Sequence, residues 1–141
     1  MRHKGSISHT CQERDRIVPL LFRKATDLVQ WPASVMDICK KAANLPVKEF
    51  YISSDAAIEY VRHRYYWNER KKFRSSYKQM LYDELYERFE KRVNLPENAN
   101  KSLPDIVITI LATSAPCCGL TPLQLYTIML QHRKKLQRKK K

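Results

Sequence analysis

Glycine is almost missing from this chain: there are two among 141 residues. A loop that cradles phosphate with backbone amides needs several, so the nucleotide-hydrolysing and dinucleotide-binding motifs are excluded. Long apolar runs are missing too. The longest, residues 106–112, is interrupted by Thr109 and is far too short to span a bilayer. The opening MRHKGSISHTCQERDR is basic but has no apolar stretch behind it, so no export signal is expected and the cytosol is the expected compartment. Paired cysteine spacing is absent as well. Cys11, Cys39, Cys117 and Cys118 form no CxxC motif, and with His3, His9, His63 and His132 they offer no zinc-ligand spacing. The expectation is no metal, no cofactor and no disulfide framework, the thiols serving as small buried apolar groups.

Acidic charge is the last shortage. Fourteen Asp and Glu face 27 Lys and Arg, a formal net charge of +13, which is far more than solubility requires. Such an excess implies a polyanionic partner, nucleic acid before an acidic protein or an anionic membrane surface. With 43% hydrophobic residues the chain still has enough apolar material to bury a core, so wholesale disorder is not expected.

Laid over itself at an offset of 64, the chain sets Ile17 on Leu81, Leu21 on Leu85, Phe22 on Tyr86, Val29 on Val93 and Pro32 on Pro96. Four extra residues around 97–100 then shift the offset to 68. Ser34 falls on Ser102, Asp37 on Asp105, Ile38 on Ile106, Ile52 on Leu120 and Ser53 on Thr121. Each copy reads as three helices. The first copy has one over about 12–30 with Ile17, Leu20, Leu21, Ala25, Leu28 and Val29 at helical spacing, interrupted by Pro19 so that its start could lie near Val18. A second follows over 34–44 with Ser34 and Asp37 as a capping box, and a third runs from Ser53 or Ser54 to about Trp67. The second copy has 76–93 with Met80, Leu81, Leu85, Phe89 and Val93 inward, then a helix capped by Ser102, and a last one opening at Thr121-Pro122. The run IVITIL, 106–111, is β-branched enough to be a strand on propensity alone, which is the competing assignment there.

The expected fold is therefore all-α: two tandem trihelical helix-turn-helix-like repeats packed as one helical domain. Residues 1–11 form a flexible N-terminal segment, 12–72 the first helical repeat, 76–135 the second, and 136–141 a basic C-terminal tail.

MRHKG at the start, Asn44-Leu45-Pro46, Lys48, Phe50-Tyr51-Ile52-Ser53, Ala56-Ala57 and Leu120-Thr121-Pro122 carry a resemblance. The chain resembles a group of short, basic, uncharacterised bacterial proteins of gut anaerobes that have two such helix-turn-helix-like segments. The resemblance implies an internally duplicated cytosolic protein and no particular activity. Ala115-Pro116-Cys117-Cys118-Gly119 departs from it, standing where an aromatic segment would be expected.

Charge concentrates where each third helix ends. Arg62, Arg64, Arg70, Lys71, Lys72 and Arg74 close the first copy, and Arg133, Lys134, Lys135 and Arg138 close the second. One or two such cations would merely complement a helix dipole, but two clusters of this size repel internally unless a polyanion relieves them. They are the expected phosphate contacts. The expected base-reading positions hold Ser53, Ser54, Asp55 and Glu59, or Thr121, Pro122 and Gln124. Of these only Gln124 and the serines are useful donors, so sequence preference should be modest. Tyr65, Tyr66 and Trp67 read either as packing between the copies or as a stacking platform for unpaired bases beside Arg62, Arg64 and Arg70. His63 reads as an exposed polar residue, and the carboxylates of 83–97 as i,i+4 partners on an exposed face. No nucleophile pair has a local signature, so the chain is not expected to be an enzyme. The expected partner is nucleic acid, DNA ahead of RNA, with no membrane and with a homodimer left open. The competing reading is a helical adaptor docking an acidic protein.

Overall fold

Capping side chains and apolar stripes divide the chain into six α-helices among the described residues. The computed structural model describes residues 9–139, with side chains described over 10–135. The helices are α1 (His9–Leu28), α2 (Val35–Ala43), α3 (Ser54–Trp67), α4 (Ser76–Val93), α5 (Leu103–Leu111) and α6 (Pro122–Lys139). The opening MRHKG and the expected basic tail at 136–141, Arg138 included, lie outside the residues whose side chains are described. The segment expected to be flexible over 1–11 is already helical from His9.

Local chemistry accounts for the boundaries. The Ser34 hydroxyl accepts from Asp37 N at 3.1 Å while Ser34 N donates to Asp37 Oδ2 at 3.0 Å, a reciprocal box opening α2. Hydrogen bonds from Ser34 hold the Asp37 carboxyl below its ordinary range. Ser53, Ser75 and Ser102 cap α3, α4 and α5, each accepting from the amide three residues on. Asn68 ends α3 in the left-handed region at φ 54°. The 106–111 run is helix, with Ser102, Pro104 and Asp105 supplying a start signal that outweighs its β-branching. α1 runs through Pro19 without a break.

Two compact units divide after Leu45 and after Gly119. In the first, α2 packs against both α1 and α6. The small residues Cys39, Ala42 and Ala43 are buried on α2, as are Val18, Leu21 and Ala25 on α1 and Leu125 on α6. In the second, α5 packs against both α3 and α4. Its buried side chains include Ala57 and Val61 of α3, Leu81, Leu85 and Phe89 of α4, and Ile106, Val107 and Ile110 of α5. Consecutive helices α2 and α3 thus fall in different units, and so do α5 and α6. The reason lies in the segments between them. Residues 46–52 run into the second unit, where Val47 N donates to Ala115 O at 3.0 Å and Ala115 N to Val47 O at 2.9 Å, an isolated antiparallel bridge. Phe50 N donates to Leu111 O at 3.0 Å and anchors the same segment. A 3-10 turn, Pro96–Asn98, follows α4. There buried Asn98 donates from Nδ2 to the Arg92 carbonyl at 2.8 Å, joining the Leu95 amide at the same oxygen at the α4 end.

Several expected inward residues face out. Met80 is exposed because it stands about 100° around α4 from Leu81, outside the stripe that Leu81, Leu85 and Phe89 share. Leu20 lies nearly opposite Val18 on α1 and is exposed for the same reason. Leu28 lies on its stripe but at the helix end, and is exposed.

Candidate functional site

The aromatic end of α3 is built from the helix outward. Tyr60 is buried and Arg64, one turn on, is half-buried, so both turn toward α4. There Asp83 collects them. Its Oδ1 accepts from the Tyr60 hydroxyl at 2.8 Å, from Arg64 at 3.1 Å and from Gln79 Nε2 at 3.1 Å, and Arg70 reaches both carboxylate oxygens. Burial pushes the Asp83 carboxyl up, but hydrogen bonds from Arg70, Tyr60 and Gln79 and the Arg70 charge outweigh it and hold the group at about 2. Burial, then the bond to Asp83, pushes the Tyr60 hydroxyl up. The Arg64 guanidinium also lies 4.2 Å from the Tyr86 ring centroid. Two of the expected phosphate contacts, half-buried Arg64 and exposed Arg70, are thus paired within the protein, one carboxylate answering two guanidiniums.

The other expected contacts of this unit are differently placed. Arg62, Lys71, Lys72 and Arg74 are exposed and form no ion pair among the described residues. Lys71 and Lys78 hold their ammonium groups 5.4 and 5.0 Å from the Phe73 centroid. In the first unit, Arg133, Lys134 and Lys135 stand exposed near the end of α6, again with no carboxylate partner among the described residues. Gln124 has a structural task. Its Oε1 accepts from Thr121 N at 2.9 Å while Thr121 Oγ1 accepts from Gln124 N at 3.1 Å, a capping box at the start of α6.

Tyr65, Tyr66 and Trp67 are 42%, 62% and 57% exposed, so only the first is substantially engaged in packing. Tyr65 meets Phe89 edge-on at 5.2 Å, and Trp67 meets His63 edge-on at 5.2 Å. His63, the neighbour of Trp67, lines a cleft of about 410 Å³. Tyr60, Phe73 and Tyr82 line it with ring centroids 4.5 to 6.0 Å apart. At its mouth His63 stands between Glu59, 3.9 Å from Nε2, and Glu69, 3.6 Å from Nδ1. Arg70 and Lys71 complete the rim.

Asp83 and this cleft are what the sequence reading missed. Asp83 read as one more exposed acid, and of the 83–97 carboxylates Glu84 does follow that rule, pairing with Arg88 at 2.8 Å. The only local hint of the cleft was the density of rings and charges over 59–73. No group of three or more His, Cys, Asp or Glu among the described residues could hold a metal ion, and no described helix is long and apolar enough to cross a membrane. Cys39 and Cys117 are buried, and burial pushes both thiols up. Comparison with protein-family models, with curated proteins and with solved structures gives no match.

Proposed function

We propose that this chain is a non-enzymatic, cytosolic nucleic-acid-binding protein, DNA its first target, that grips the phosphate backbone with modest sequence preference. One observation carries the reading: in a chain of net charge +13, the end of α3 with its following segment and the end of α6 both present exposed cations that no carboxylate neutralises among the described residues. Such side chains release condensed counterions when they meet phosphates, and that release supplies affinity without reading bases. Modest preference follows from the helix starts, where the Gln124 oxygen is engaged by the backbone and no arginine stands ready to grip guanine.

The reading includes two copies of a helix-turn-helix-like repeat that have exchanged their third helices. Three facts support it. The caps Ser34 and Ser102, and Ser53 and Thr121, occupy matching places in the two copies. The bridged residues Val47 and Ala115 differ by 68, the same offset that aligns the copies. The second helix of each copy, α2 or α5, packs against both other helices of its unit.

Fluorescence anisotropy with labelled duplex DNA, single-stranded DNA and RNA at low salt tests the proposal. Binding to polynucleotides of unrelated sequence with similar affinity is expected. Indifference to every polynucleotide, together with binding to an acidic protein surface, would replace this reading with that of an adaptor.

A further inference from the structure

We propose that the α3/α4 cleft receives one unstacked base of a single strand, with Trp67 stacking on the neighbouring base. The inference rests on the nucleic-acid reading above and names the strand form that the second unit prefers. The cleft volume, about 410 Å³, lies in the range of sites that enclose small organic groups, and its floor of Tyr60, Phe73 and Tyr82 is aromatic. The rim decides which part of a nucleotide enters. Glu59 and Glu69 flank His63, and Arg70, which shares the rim, is already paired with Asp83, so a phosphate placed there would meet two carboxylates against the one unpaired ammonium of Lys71. The anionic backbone is therefore kept outside, where Lys72 and Arg74 stand on an exposed segment. What enters is the neutral part.

Carboxylates also impose a choice among bases, since they accept hydrogen bonds from exocyclic amino groups. Cytosine, adenine and guanine carry such a group and thymine does not. Trp67 stands beside the cleft because its ring packs edge-on against His63, which leaves it 57% exposed for a second base. A paired base can reach neither place without leaving its stack, so the site selects unpaired strands.

The full chain carrying Trp31→Phe tests this, since Trp67 is then the only tryptophan. It is titrated with labelled dodecamers of deoxycytidine and of thymidine and with a duplex of the same length. Strand anisotropy and Trp67 emission are both followed. Expected are quenching of Trp67 by single strands and deoxycytidine binding roughly fivefold or more tighter than thymidine. Trp67→Ala should weaken single-strand binding roughly tenfold while leaving the duplex unchanged. Glu69→Ala, which removes the acceptor, should flatten the preference between the two homopolymers. Strands that bind without quenching and ignore Trp67→Ala would overturn the base site and leave backbone binding standing. Failure of every polynucleotide to bind would overturn both.

Discussion

Asp83 decides more than any other single side chain. One carboxylate orients Tyr60, Arg64, Arg70 and Gln79, and so ties α3 and the segment after it to α4. Its pKa falls from 3.8 to about 2 on folding. Each pH unit of such a shift is worth about 1.4 kcal/mol, so the carboxylate contributes on the order of 2 kcal/mol. The folded pKa is the lower one, so this stability is present above the unfolded value and is lost as pH falls from about 4 to about 2. Asp83→Asn should therefore lower stability at neutral pH by on the order of 2 kcal/mol and remove that part of the acid dependence, as urea unfolding across the acid range would measure. Equal acid sensitivity in the two proteins would mean that the carboxylate is not held as the geometry indicates. None of this was legible in the sequence, because Arg64 and Arg70 lie 19 and 13 residues from Asp83 and nothing local links them.

At the scale of elements, the sequence spoke most clearly where the signal is local. Caps and the residues they close on sit three positions apart, so Ser34 with Asp37, Ser53 and Ser102 could be read directly, and the helices follow them. Gln124 shows the other side of that rule, for a residue chosen as a base reader is held by its own helix start. Gln124→Ala should lower the thermal midpoint by an amount matching a few tenths to about 1 kcal/mol and leave polynucleotide affinity unchanged. Calorimetry and anisotropy on the same variant check both halves, and a loss of affinity without a loss of stability would return Gln124 to the binding surface. Stripe position was less legible at the margins. Met80 and Leu20 are apolar and close in sequence to core residues, yet their angle around the helix puts them outside it.

For the whole molecule, the number of helices was legible but their grouping was not. Extended segments precede both α3 and α6, and the Val47–Ala115 bridge between them joins residues far apart in the chain. Residues 46–119 alone should accordingly fold as a helical unit with a cooperative thermal transition, since α3, α4 and α5 and their buried side chains all lie within them. Residues 12–72, three helices consecutive in sequence, should not, because they lack the α4 and α5 against which α3 packs. Circular dichroism of the two fragments distinguishes these outcomes. The cations are distributed over both units, four on the second and three on the first: Arg62, Lys71, Lys72 and Arg74, then Arg133, Lys134 and Lys135. The most direct test of the account is the salt dependence of duplex DNA binding by the intact chain. The log–log slope should lie between about −3, where one unit contacts phosphate, and about −6, where both do. An affinity that does not change with salt would contradict it.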